Sequence, residues 1–271
     1  MVLFGVILII FITTYVLGNR KRSPLYEEWV TMTEKRWAEQ YPTLYKEVKR
    51  EMMHGAQSYV FSLQDIDGET MDDMIECLVE CSREETYVDS WELWEDEDEG
   101  EIRFDYELPR EEIERQRQIV QREVKRIIHR VIHSDMTDTE RVKALYDDVV
   151  TQVVYDDDLA EREAGIDAYG YHCSNTAYGA LTEHIAVCEG FGRLFVALLD
   201  AVQIENYYVQ GVSDGEGHAW NLVNIDGQYV YFDATTDART PHEALDITYE
   251  DFLVRAEQLD YEWNREDYPK T

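Results

Sequence analysis

The stretch GHAWNLVNIDGQYVYFDATTD, residues 217–237, leaves the chain little freedom. Two apolar-rich runs flank Asp226-Gly227, a dipeptide that tolerates the positive φ angles of a type I′ turn, so the stretch predicts a β-hairpin with a two-residue loop. If Ile225 and Gln228 close that loop, Trp220 stands opposite Asp233 and His218 opposite Thr235. His218 and Asp233 are then diagonal neighbours on one face, about 7–8 Å apart, within reach of a carboxylate that orients an imidazole. Asp237 has the same parity but falls past the end of pairing, which makes it a solvated turn acid.

A second constrained stretch lies upstream. In AVCEGFGRLF, residues 186–195, a cysteine precedes an apolar run in which Phe191, Leu194, Phe195, Leu198, Leu199 and Val202 recur at helical spacing. The helix starts at or just after Cys188, after a short helix and a connecting loop. A cysteine there meets unsatisfied backbone N–H groups and the positive end of the helix dipole, both of which favour a thiolate. Gly190 and Gly192 cost helix propensity and let other backbone or a substrate approach closely. A buried structural cysteine is the competing account of Cys188. The hairpin decides between them, because a histidine and an acid in register behind a helix-start cysteine make a Cys/His/Asp triad.

At these residues the chain resembles a known family. TAYGAL, AVCEGFG, GHAWN and YFDATTD are similar to the core motifs of the transglutaminase-like superfamily in its bacterial branch, over roughly residues 135–240. The resemblance implies an α+β, papain-like core in which the helix bearing the nucleophile packs on an antiparallel sheet. It makes Cys188 the nucleophile, His218 the general base and acid, and Asp233 the orienting group. Thr236 departs from the pattern, standing where the bacterial branch often has Trp, and this bears on the cleft wall rather than on the triad.

Those residues support acyl transfer on amide or ester carbonyls, with protein or peptide substrates. Water as acceptor makes a protease or amidase, whereas an amine makes a crosslinking enzyme. The Cys188 backbone N–H is a candidate oxyanion donor and Tyr178 a second. Tyr178, Tyr171 and Trp220 are the expected substrate-binding residues, with a place in the core as their competing account. No metal and no cofactor is implied. The alternative function is a catalytically idle, membrane-tethered binding or scaffolding module.

Charge narrows the partners. The 271 residues carry 58 Asp and Glu against 25 Lys and Arg, a formal net charge of −33. Such a field repels nucleic acid and favours a basic protein or amine acceptor. The uncharged run VLFGVILIIFITTYVL, residues 2–17, stands apart and is followed by NRKR. It predicts a single membrane anchor, ranked above a secretory signal and above a buried helix, because no positive region precedes it and no A-x-A cleavage site follows. The basic cluster after it puts the remainder in the cytoplasm by the positive-inside rule, whereas the family resemblance favours the exterior.

Three segments result: 1–22, the membrane anchor or signal; 23–134, an acidic α/β accessory region; and 135–271, the transglutaminase-like domain. Within the accessory region a charged helical stretch spans about 24–54. AQSYVFSL predicts a strand, and TYVDSWELW and EIRFDYEL predict two more around the acidic run at 95–101. That run lacks spaced calcium ligands and is expected to be a solvated hairpin tip. Cys77 and Cys81 have helical spacing without a second pair and are assigned to the core, and His129 and His133 to a helix surface. Pro109 opens a long helix to about His133, and TDTE at 137–140 is a capping box for the next, which ends near Gln152.

Overall fold

The computed structural model describes residues 34–80, 82–158, 173–213, 215–239 and 261–269. The expected anchor at 2–17 lies outside these. Among the described residues no helix is long and apolar enough to cross a membrane.

The accessory region begins with α1 (Glu34–Gln40) and α2 (Pro42–Met53). The sequence predicts one helical stretch here, but Pro42 has no N–H to continue a ladder and instead opens the second helix, where a missing donor costs nothing. Next come β1 (Ser58–Ser62), α3 (Gly68–Glu80), β2 (Val88–Asp96) and β3 (Glu99–Tyr106). The three strands form an antiparallel sheet in the order β1-β3-β2. Pairing continues to Asp96 opposite Glu99, so the exposed tip is shorter than the acidic run suggests. Gly100 belongs to the sheet, where an added Cβ would lie 2.2 Å from the Phe61 ring. Met71, Met74, Ile75, Cys77 and Leu78 of α3 are buried against this sheet, which gives Cys77 the core place expected of it.

The second half contains α4 (Arg110–Val131), α5 (Asp138–Gln152) and a short strand β4 (Val154–Tyr155). It continues with a 3₁₀ turn (Cys173–Asn175), α6 (Ala177–Thr182), β5 (Ile185–Ala186) and α7 (Cys188–Ala201). A three-stranded antiparallel sheet follows, β6 (Asn206–Ser213), β7 (Glu216–Ile225) and β8 (Gln228–Phe232), and then α8 (Ala234–Arg239). The capping box is present: Thr137 accepts from the Glu140 N–H while the Glu140 carboxylate accepts from the Thr137 N–H.

One apolar cluster joins Val124 of α4, five residues of α5, and Phe191, Leu194, Phe195, Leu198 and Leu199 of α7. A domain boundary near residue 135 therefore separates α4 from the helices that bury its stripe. Both halves meet at α7. Arg193, 8% exposed, donates to Glu85 at 2.7 Å and to the Asn175 carbonyl at 3.0 Å. Arg83 reaches across to Asp200 at 2.6 Å and to the Asn206 carbonyl at 3.2 Å.

Candidate active site

Hairpin register sets the site. Ile225 pairs with Gln228 and Asn221 with Phe232, as the Asp226-Gly227 loop requires, and both loop residues have positive φ (54° and 86°). Along β7 the side chains alternate. Asn221 turns to α7 and donates to the Gly192 carbonyl at 3.1 Å, and Ala219 packs beside Tyr208, Val196 and Cys188. Trp220 and Leu222 turn to the opposite face, where they meet Tyr261 and Trp263.

His218 lies near the start of β7. Its Nε2 is 2.9 Å from Asp233 Oδ2, and the Cys188 side chain hydrogen-bonds to the same imidazole. The structure thus brings Cys188, His218 and Asp233 together. Burial works against a charged imidazole, but the Asp233 carboxylate, by charge and hydrogen bond, and Cys188 outweigh it. His218 therefore keeps its proton well above the usual histidine range.

Asp233 ends the hairpin and caps α8. Its Oδ1 accepts from the backbone N–H groups of Thr235 and Thr236, both at 3.1 Å. Its Oδ2 accepts from Thr236 Oγ1 at 2.7 Å, from His218, and from the Tyr261 hydroxyl. Burial would raise this carboxyl, yet the His218 charge and these donors hold it below the ordinary carboxylate range. Thr236, the departure from the family pattern, is therefore a direct ligand of the acid.

Cys188 is the first residue of α7, partly exposed. The residue before it, Val187, supplies no side-chain cap, so the first-turn N–H groups are not consumed by a capping side chain. Their direction suits a developing oxyanion. An added Cβ on Gly190 would lie 2.3 Å from the Ser174 carbonyl, and one on Gly192 2.8 Å from the Tyr208 ring. The glycines thus admit the 173–175 turn and a sheet side chain against α7. Gly190→Ala should force that turn off α7 and lower stability by about 1–3 kcal/mol, readable as a fall in the thermal melting midpoint.

Other expected residues fall elsewhere. Trp220, assigned to the cleft, is 1% exposed and packs on His218 at 5.7 Å between ring centroids and edge-on to Trp263, so it backs the imidazole from within the core. The Tyr178 hydroxyl, considered as an oxyanion donor, accepts from Arg115 of α4 at 3.2 Å. Tyr171 lies outside the described residues. Asp237 is not a solvated acid: the chain turns into α8 after Phe232, and Asp237, 1% exposed, accepts from the Tyr146 hydroxyl at 2.6 Å. Among the described residues no group of three or more His, Cys, Asp or Glu side chains has metal-site geometry.

Tyr261 does not emerge as a site residue from the sequence, and Thr236 emerges only at the cleft wall, not at the acid. The signal at this position is Asp233 itself, an acid between a strand end and a helix start, whose side chain as N-cap accepts from N–H groups two and three residues on. Tyr261 left none, since its contact with Asp233 spans 28 residues without a local motif.

Residues 125–234, less than half of the chain, match the family model described as the transglutaminase-like superfamily. No curated protein matches the chain. Among solved structures, one described as a TGase is 14% identical over 59% of this chain and 47% of its own, with a TM-score of 0.40. Another, described as "a Putative Cysteine Protease from Cytophaga hutchinsonii", is 22% identical over 44% of this chain and 37% of its own, with a TM-score of 0.32. The chain spans less than half the length of either structure.

Proposed function

We propose that this chain, whose residues 125–234 match the transglutaminase-like superfamily model, is a thiol-dependent acyl-transfer enzyme acting on protein or peptide amide bonds. The observation that carries the proposal is the His218–Asp233 hydrogen bond with Cys188 on the same imidazole at a helix N-terminus.

Nε2 of His218 is held by Asp233, which leaves Nδ1 for the thiol proton. The Cys188 sulfur adds to the carbonyl carbon, and the oxygen that takes up the electron pair faces the first N–H groups of α7. His218 passes its proton to the departing nitrogen as the carbonyl re-forms, and a thioester on Cys188 remains. An incoming water or amine then gives a proton to His218 and attacks the thioester, and the sulfur leaves as the thiolate. Water makes the reaction proteolysis or amide hydrolysis, and an amine makes it crosslinking. Asp233 keeps the imidazole in the tautomer both steps require. The net charge of −33 favours basic proteins or amines as partners. The uncharged run at 2–17 would tether the enzyme to a membrane.

An alkylating amide probe such as iodoacetamide tests the proposal at neutral pH. It should label Cys188 ahead of the other three cysteines, and Cys188→Ala should lose that label. Equal labelling of both proteins, or of neither, favours an idle binding or scaffolding module.

A further inference from the structure

We infer that Tyr261 is a positioning residue of this active site, its hydroxyl aiming the Asp233 carboxylate at His218, so that residues 261–269 form part of the catalytic apparatus. The inference rests on the acyl-transfer reading and names a component that the matched segment 125–234 does not contain.

Asp233 is held unequally at its two oxygens. Oδ1 is fixed by two backbone N–H groups of α8, which move only with the helix. Oδ2, the oxygen that serves His218, is held by side chains alone, Thr236 and Tyr261. Tyr261 also closes the site sterically: its ring stands edge-on to His218 at 5.6 Å and to Trp220 at 5.0 Å. Burial first, and the Asp233 charge next, hold the Tyr261 proton far above the ordinary tyrosine range, so the hydroxyl is always a donor.

The sheet is built to receive this segment. Gly211 pairs with His218 across β6 and β7, and an added Cβ there would lie 2.2 Å from the Glu262 carbonyl. Val212 and Glu262 exchange both backbone hydrogen bonds at 2.8 Å. Trp263 packs edge-on against Trp220 and Tyr231, and Asp267 pairs with Arg36 of α1. These attachments hold the segment beside the Tyr261 hydroxyl, which, besides donating to Asp233, lies 3.4 Å from Thr236 Oγ1 and hydrogen-bonds with the Ser213 side chain. Among the described residues, the charged or titratable groups that face His218 are Asp233 from the end of the hairpin, Cys188 from α7 and Tyr261 from this segment.

The test compares the full chain with Tyr261→Phe, which removes one oxygen and keeps the ring. Two readouts are taken: steady-state hydrolysis of p-nitrophenyl acetate, and the NMR titration of the His218 imidazole. We expect kcat to fall about tenfold with KM unchanged within about twofold. The His218 midpoint should move to higher pH, because a carboxylate no longer shared with a hydroxyl holds the imidazolium more strongly. Thr236→Val, which removes the other side-chain donor, should move the midpoint the same way. Wild-type kcat and an unmoved midpoint in Tyr261→Phe would overturn the inference. A lower kcat with an unmoved midpoint would also overturn it, since packing alone would explain the loss. If wild type and Cys188→Ala hydrolyse the ester alike, the acyl-transfer reading fails instead, while the titration still decides whether Tyr261 acts on the Asp233–His218 pair.

Discussion

Asp233→Asn is expected to lower p-nitrophenyl acetate turnover by about two to four orders of magnitude, whereas Asp237→Asn leaves turnover per folded molecule within about threefold. Among the described residues, five donors surround the Asp233 carboxylate, two on Oδ1 and three on Oδ2. An amide must set its own NH2 against one of these groups. Facing His218, it would donate to Nε2, push the imidazole proton to Nδ1, and leave nothing to take the thiol proton. Facing the helix, it would oppose two backbone N–H groups and uncap α8. Some related triads use asparagine, but here an amide would have to turn the Thr236 and Tyr261 hydroxyls from donors into acceptors to keep its oxygen on His218. Asp237 lies one helical turn further on, buried against Tyr146, so its replacement weakens packing between α8 and α5. A stability loss of about 1–3 kcal/mol is expected there. Thermal melts beside the kinetics separate the two variants; a silent Asp233→Asn with a damaging Asp237→Asn would exchange their roles.

Cys188→Ala is expected to abolish turnover and leave the fold intact. The side chain is partly exposed and only borders the small cluster of Val196, Tyr208 and Ala219, so truncation opens little cavity. The helix start loses no cap, because Val187 supplies none from its side chain. A melting midpoint close to wild type, with no ester hydrolysis above the uncatalysed rate, is the expected pair of results. Cys188→Ser keeps the shape but replaces the thiol with a hydroxyl, a far weaker nucleophile at neutral pH, and should be nearly as inactive. Retained turnover in either folded variant would remove the cysteine from the chemistry.

The parts of this molecule that were legible in its sequence are those with local causes. Asp226-Gly227 fixed the hairpin register through backbone φ alone, and Thr137 with Glu140 marked the start of α5 by mutual capping. The apolar spacing after Cys188 located α7, which starts at Cys188 and ends at Ala201, one residue short of Val202. Where the outcome depended on packing between distant segments, the pattern was silent. The strand parity that brought Asp233 to His218 said nothing of where the chain turns into α8, so Asp237 was assigned to solvent when Tyr146, 91 residues earlier, buries it. Trp220 illustrates the same limit. Alternation put it on the face of His218, but whether that face meets solvent or core was decided by Tyr261 and Trp263 arriving from the other end of the chain. Arg193 sits inside the apolar run of α7, and no local pattern points to Glu85 of the accessory region, 108 residues earlier, as its partner.

The proposed mechanism has Cys188 carry the acyl group while His218 moves the protons of each step. It is tested most directly by mixing the full chain with p-nitrophenyl acetate at mildly acidic pH, quenching within the first turnover and mapping the acetyl group by peptide mass spectrometry. One acetyl group is expected, on Cys188 as a thioester that hydroxylamine removes, and it should be lost from both Cys188→Ala and His218→Ala. Acetylation spread over lysines and tyrosines, unchanged in both variants, would contradict it.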